Sequence, residues 1–360
     1  MGIKIILLII FFAVMAAVGI YSRRHVTSVD GFVLGGRSVG PWLTAFAYGT
    51  SYFSAVVFVG YAGQFGWKYG IASTWIGIGN ALIGSLLAWV VLGRRTKVMT
   101  QHLGSRTMPD FFGERYKSKS LKITASVIVF VFLIPYTASV YNGLSRLFAM
   151  AFNIPYTWCV VTMAAFTALY VILGGYMATA INDFIQGIIM LIGIVAVIAA
   201  VLNGQGGFMN AIAEMAKIPS DVPLTQGQPG AFTSFFGPDP VNLLGVVLLT
   251  SLGTWGLPQM IGKFYAIKDE KSISTGTIIS TIFAIIISGG CYFLGGFGRL
   301  FDSPEIYDKA GGAVVYDSII PHMLSMLPDL LIGVVVVLVL SASMLSLIHI
   351  SEPTRHAQIS

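Results

Sequence analysis

Two apolar segments of membrane length carry polar and helix-loosening residues at their middles. The first, AFAYGTSYFSAVVFVG, holds Thr50, Ser51, Tyr52 and Ser54. The second, VVLLTSLGTWGLPQMIG, holds Gly253, Trp255, Gly256, Pro258 and Gln259. Unpaired backbone groups are costly in hydrocarbon, so a purely lipid-facing helix has no reason to break. A helix that lines a site does, because unwound turns offer carbonyls to a cation and dipole ends to a solute. Thr50 and Ser54 stand at i and i+4, and Ser51 and Ser54 at i and i+3, so a helix stacks each pair on one face. Hydroxyls and freed carbonyls are hard oxygen ligands of the kind alkali cations take. Small hydroxyl residues also pack membrane helices together, and that reading stays open beside the first. In the second segment Pro258 removes a backbone donor, and Gly253 and Gly256 weaken the same turns. Trp255 and Gln259 are one turn apart, an indole beside an amide. A proline kink with packing consequences alone is the competing account.

Asp183 stands in LGGYMATAINDFIQGIIMLIG, at a predicted span boundary. A charge in mid-membrane costs at least ~2.5–3.5 kcal/mol and usually marks function. Asn182 or Asp183 could equally cap the helix that follows, with Gln186 completing a capping box. A direct ion role and a cap are compatible. The glycine-rich LGGRS at 34–38 lacks the Lys-Ser/Thr ending of a phosphate loop. No His/Glu or Cys cluster has metal-ligand spacing, and no paired-carboxylate motif lies on a predicted membrane helix. The chain is not expected to be an enzyme.

These residues need elements to position them. Hydrophobic residues make up 56% of the chain and charged residues 10%, the balance of a polytopic membrane protein. A span takes roughly 20 apolar residues. That rule predicts spans near 3–21, 42–65, 71–92, 121–151, 156–178, 183–202, 241–262 and 274–298, with a ninth beginning near Leu327. The run at 121–151 exceeds one span and is expected to tilt or to extend past the bilayer.

The net charge of +6 is no nucleic-acid footprint, because the basic residues occupy alternate loops. Arg23, Arg24 and Arg37 lie in the first. Arg94, Arg95, Lys97, Arg106, Arg115, Lys117, Lys119 and Lys122 lie in the third, and Lys263, Lys268 and Lys271 in the seventh. The long intervening loops are acidic, with Glu214, Asp221 and Asp239 in one and Asp302, Glu305, Asp308, Asp317 and Asp329 in the other. The positive-inside bias places the N-terminus outside and the basic loops in the cytoplasm of a multi-pass cell-membrane protein. The first span has its arginines behind it, which argues against a cleaved signal peptide.

Cys159 and Cys291 fall in apolar spans, so no disulfide framework is expected. The third loop mixes charge with Phe111, Phe112 and Tyr116 and predicts a short amphipathic helix at the interface. The loops 203–240 and 299–326 read as partial lids or as plain connectors. After LIGVVVVLVLSASM the pattern breaks: Glu352, Pro353, Arg355 and His356 arrive where apolar residues are needed. Residues 345–360 therefore read as not native to the protein, as from read-through at a cloning junction, and 1–344 as a truncated transmembrane domain.

FVLGGRSVGPWLTAFAYGTSYFS, TMPDFFGERY, LGGYMATAINDFIQ, GTWGLPQMIGKFYA and SASM occur in that order between Asp30 and Met344. Together they resemble the sodium/solute symporter family, which includes bacterial proline and pantothenate transporters and the sodium/glucose cotransporters. The resemblance implies an all-α fold of five helices plus five inverted, with one extra N-terminal helix and, here, an incomplete second repeat. The two broken segments are then the first helix of each repeat. It also implies a sodium site made of carbonyls near Thr50 and Phe53 and of two adjacent hydroxyls after the Met of SASM. Those last positions are Leu345 and Ser346, so one hydroxyl is missing. Asp183 matches a family acid linked to sodium dependence. The solute pocket would draw on Ser54, Trp255 and Gln259. Tyr52 stands where proline transporters carry an aspartate, which counts against proline as the solute.

The expected activity is sodium-driven symport, by alternating access, of a small organic solute: an amino acid, a vitamin-like carboxylate or a sugar. The expected ion is sodium, and the expected surroundings are a lipid bilayer, with no nucleic acid. Rival readings are a proton-coupled carrier of the same fold and a membrane sensor that binds solute without moving it. The chain as given is expected to be inert, with transport belonging to a full-length parent.

Overall fold

The computed structural model of the chain describes residues 2–23, 34–52, 54, 56–155, 157, 158, 161, 165, 176–308 and 312–340. Among them regular structure is helical, apart from two isolated bridges, Val39 with Ile267 and Tyr307 with Val314. Helix α1 is Gly2–Arg23 and α2 is Pro41–Tyr52. A π-helical turn, Val56–Tyr61, leads into α3, Ala62–Tyr69. Helix α4, Thr74–Gly79, passes into π-wound segments Asn80–Leu87 and Trp89–Gly93 and then into α5, Arg94–His102. Next come α6, Met108–Tyr116, α7, Lys119–Phe152, α8, Tyr176–Gly204, and α9, Phe208–Lys217. Helices α10, Pro240–Gly253, and α11, Pro258–Ala266, form a bent pair. Helix α12, Glu270–Ala284, runs through a π turn, Ile285–Gly289, into α13, Gly290–Gly295. Helix α14 is Tyr316–Ser325, and α15 is the apolar Asp329–Leu340.

Four helical runs among the described residues are long and apolar enough to cross a membrane: Val56–His102, Lys119–Phe152, Ala180–Gly204 and Glu270–Gly295. The pair Pro240–Gly256 and Pro258–Ala266, bent by 50°, makes a fifth. The chain is thus built as a multi-pass membrane protein. The first of these runs doubles back at Gly70, whose φ of 59° suits glycine. The run 270–295 reports the reversal. Gly49 lies against Phe283 and Gly66 against Gly295, so 41–69 runs parallel to it. Asn80 meets Ser288, Ser85 meets Ser280 and Trp89 meets Gly276, so 80–93 runs antiparallel. The expected division into spans at 42–65 and 71–92 follows this reversal. A Cβ on Gly66 or on Gly295 would overlap the other strand of backbone, so these two helices touch main chain to main chain.

The long helix α7 matches the long segment expected at 121–151. Ser118 opens it by accepting from Leu121 N at 3.2 Å, and Asn153 closes it in the left-handed region. In the third loop, α6 begins at Thr107, whose hydroxyl accepts from Asp110 N at 3.2 Å. Most of the expected span 156–178 lies outside the described residues, as does everything from Ser341, including SASM, Leu345 and Ser346.

The alternation of basic and acidic loops is visible as two ends. At one, Arg37 Nη2 donates to Ser105 O at 2.8 Å, Lys97 Nζ donates to Ile267 O, and Val39 and Lys268 share a backbone bond of 3.0 Å. At the other, Lys4 pairs with Asp329 at 2.9 Å and donates to Ala151 O at 3.2 Å. There too, Arg299 holds Asp221 at 2.6 Å and lies over the rings of Trp67 and Phe232. Phe232 packs on the Gly70 turn, so the loop 203–240 is a packed cap at that end. The main core lies between, where Phe46, Phe283, Ile194 and Leu338 meet.

Candidate functional site

The first predicted break is present. Helix α2 ends at Tyr52, Ser54 is non-helical, and winding resumes at Val56. Ser54 restarts the chain as a cap: its Oγ accepts from Val57 N at 3.4 Å and its carbonyl from Phe58 N at 2.9 Å. Thr50 Oγ1 donates to Phe46 O at 2.7 Å, and Ser51 Oγ to Ala47 O at 2.7 Å. Both hydroxyls keep acceptor lone pairs. The break is therefore a buried cluster of oxygen atoms, with Thr50, Ser51 and Ser54 all screened from solvent. The side chain of Tyr52 and all of Phe53, like Ser346, lie outside the described residues.

The second break is present as well. Helix α10 stops at Gly253, Thr254–Gly256 tightens into a 3-10 turn, and Leu257 is extended at φ −74°, ψ 123°. Pro258 is the first residue of α11, where a missing N–H costs nothing. Proline thus starts a helix here and does not merely bend one. Trp255 Nε1 donates to Ile83 O at 2.9 Å. Gln259 is buried and, with Pro258, Thr124 and Tyr136, borders a mostly apolar cavity of about 560 Å³.

Aromatic packing joins the two broken segments. The Tyr48 ring of α2 lies 5.4 Å from Phe264 of α11, and Trp89 lies 5.3 Å from Tyr48 and 5.0 Å from Phe264. Trp255 and Leu257 pack at the margin of the same cluster. The structure therefore puts Thr50 on α2 and Gln259 on α11, two helices that pack together, with Ser54 and Trp255 in the turns that break the two segments.

Asp183 differs from its expected cap position. Helix α8 already begins at Tyr176, so Asn182, Asp183 and Gln186 lie inside it. Lys263, counted as a loop cation, differs too: it is buried on α11. Its Nζ stands 3.5 Å from Asp183 Oδ2, with side chains only 2% and 1% exposed. Helix periodicity explains both corrections. Asp183 follows Ala180, which packs with Val39 and Ala266, and precedes Gly187, which sits on Phe46. That face of α8 looks at α2 and at the end of α11, not at water. Gln186 donates to Met15 Sδ at 3.1 Å, tying α1 to the same face.

The sequence reading missed Asn80. Its Oδ1 accepts from Thr250 Oγ1 and Ser251 Oγ, each at 3.1 Å, and its Nδ2 donates to Ser288 Oγ at 3.2 Å. The signal was available, a lone amide in the apolar run GIGNALIGSLL, where a polar group must find a partner. Among the described residues no group of three or more His, Cys, Asp or Glu is placed to hold a metal ion.

The model of the sodium:solute symporter family matches residues 32–351. Sodium/proline symporters of Staphylococcus aureus strains JH9 and COL are each 33% identical over 276 residues, which is 74% of this chain and 51% of the relative. The chain spans about half the length of the curated relatives it matches. A solved structure described as the substrate-bound outward-open state of a Na+-coupled sialic acid symporter superposes with a TM-score of 0.75. It is 16% identical and covers 99% of this chain and 74% of the other, a likeness of fold.

Proposed function

Because the chain belongs to the sodium:solute symporter family, we propose that it acts in sodium-coupled symport of a small organic solute across the cell membrane. The observation that carries the proposal is the pair of helix breaks at Ser54 and at Leu257, on helices packed through Tyr48 and Phe264. In this reading sodium takes carbonyl oxygens near Thr50 and Phe53 and a hydroxyl at Ser346. Solute lies against Tyr52, Ser54, Trp255 and Gln259. The breaks at Gly253, Gly256 and Pro258 let α10 and α11 change angle as the site opens to one side and then the other. The two breaks begin equivalent halves of an inverted repeat, and the N-terminus faces outward.

Sodium supports coupling here because it has something to hold. Carbonyls at the end of α2 and the Ser54 turn bind better when the break is closed, so the ion favours the arrangement that completes the solute pocket. One cation falling through 100 mV releases about 2.3 kcal/mol, and a tenfold sodium ratio adds about 1.4 kcal/mol. Together they suffice to concentrate a neutral solute several hundredfold. The solute class is an amino acid, a vitamin-like carboxylate or a sugar, and the tyrosine at position 52 favours a solute other than proline.

Asp183 has its charge met by Lys263 across 3.5 Å. A sodium role for it requires the ion to displace a tethered ammonium, so the pair acts as a competitor that sodium must outbid. The test is solute uptake into proteoliposomes at fixed pH, with sodium replaced by potassium. Uptake that disappears in potassium supports the proposal. Uptake that persists in potassium and follows a proton gradient replaces it with a proton-coupled carrier.

A further inference from the structure

Both broken segments send hydrogen bonds to one stretch of helix, and that stretch is wound abnormally. The π-wound segment Asn80–Leu87 bonds i to i+5. A carbonyl in such a turn keeps a second lone pair for a donor from outside, and π-wound turns are frequent at functional sites. Two such donors are present, one from each side. Tyr48 Oη, from the helix before the first break, donates to Gly84 O at 3.2 Å. Trp255 Nε1, from the turn of the second break, donates to the adjacent Ile83 O at 2.9 Å. The segment opens with Asn80, whose carboxamide oxygen takes Thr250 and Ser251, the last hydroxyls of α10. Its nitrogen donates to Ser288, in the π turn Ile285–Gly289 of the facing helix. Ser85 and Ser280 share a further bond of 3.1 Å between the same two helices.

We propose that Asn80–Leu87 is the positioning element of the solute site, with Asn80 as its principal residue, and that it holds the two helix breaks in register. The inference rests on the sodium-coupled reading for its purpose, and on the hydrogen bonds alone for its mechanics. A π turn can pass along a helix by exchanging i→i+5 for i→i+4 bonds, which rotates the intervening residues about the helix axis and so turns the carbonyls at 83 and 84 away from Tyr48 and Trp255. Asn80 pins it at one end, because its side chain is held from three directions. Displacing the turn would release Tyr48 and Trp255 together, and a change at one break would reach the other through one segment of helix.

The experiment is hydrogen exchange by mass spectrometry on the purified chain in detergent, with and without sodium. It compares the wild type with Asn80→Leu, with Thr250→Val/Ser251→Ala, with the triple variant and with Tyr48→Phe. Asn80→Leu is expected to speed exchange about tenfold at both breaks, residues 48–58 and 250–260, as loss of a buried hydrogen bond allows. The Thr250/Ser251 variant is expected to show the same two-site signature, and the triple variant to be no worse than Asn80→Leu. Tyr48→Phe, which removes a single oxygen, keeps the test open if Asn80→Leu does not fold. Its expected effect again reaches residues 250–260. Faster exchange confined to the neighbourhood of each substitution, or additive effects in the triple variant, would overturn the inference. Absence of any sodium response in the wild type would count against the sodium reading, while the two-site signature, present or absent, would still decide this one.

Discussion

Removing Lys263 should cost the fold more than removing Lys263 and Asp183 together. The two groups face each other at 3.5 Å with side chains almost wholly shielded from solvent. At an effective dielectric of about 20, unit charges at that distance attract by about 5 kcal/mol. The attraction is offset by the loss of hydration that both ions suffered on burial, so the pair adds little net stability. Breaking it is a different matter, because the remaining charge then loses its counter-ion in a dry site. Lys263→Met alone, or Asp183→Leu alone, should destabilise by about 3–5 kcal/mol. Lys263→Met with Asp183→Leu should recover most of that loss, since apolar replacement of a buried pair is neutral or favourable by about 1–4 kcal/mol. The assay is chemical denaturation in mixed micelles followed by tryptophan emission, run as a double-mutant cycle. It should be repeated in sodium and in potassium. In Lys263→Met the carboxylate of Asp183 is freed for a cation, so sodium should restore part of the stability where the wild type gains less. Single variants that each cost under about 1 kcal/mol and add in the double variant would refute the reasoning, by the usual standard for uncoupled sites.

Three further outcomes follow from the packing. Gly295→Val places side-chain atoms against the Ala62 carbonyl, where backbone meets backbone. It should destabilise by about 1–3 kcal/mol in the same denaturation assay, as overpacking does. Arg299→Met removes the ion pair to Asp221 and the donor to Trp67 O while keeping bulk over Phe232. Limited proteolysis of the 203–240 cap should then quicken, with the membrane core still protected. Asp269 caps α12 by accepting from Ser272 N at 2.8 Å, and the Ser272 hydroxyl, together with that backbone N–H, holds its carboxyl below the usual aspartate range. A depressed folded-state value means the cap contributes fully above the unfolded carboxyl's pKa and is lost as pH falls through the folded one. Exchange at residues 270–276 should therefore quicken in acid, and Asp269→Ala should abolish that acid response.

The two breaks were legible because glycine, proline and clustered hydroxyls act through the local backbone. Gly253 and Gly256 loosen helical turns and Pro258 disfavours helix at the residue before it, and the chain does unwind at Leu257. The first break has no proline, yet Ser54 marks it as the cap of the next turn. Lys263 was not legible. Counting charges near span ends treats every lysine as solvated, whereas this one follows Gln259 by one helical turn and shares its buried face. Asp183 misled for a related reason. The spacing from Asp183 to Gln186 fits a capping box, but a cap needs a helix end, and where α8 begins depends on residues upstream. The π winding at Asn80–Leu87 had no signature in residue types. Its carbonyls take donors from sequence-distant segments, Tyr48 and Trp255, which only the folded chain brings together.

The central claim is that the oxygen cluster at the first break binds sodium. Hydrogen exchange of residues 46–58 in the purified protein, titrated with sodium against potassium at constant ionic strength and pH, tests it most directly. Saturable protection of this segment is expected in sodium and none in potassium. Equal exchange in the two salts, or protection that follows pH in place of sodium, would contradict it.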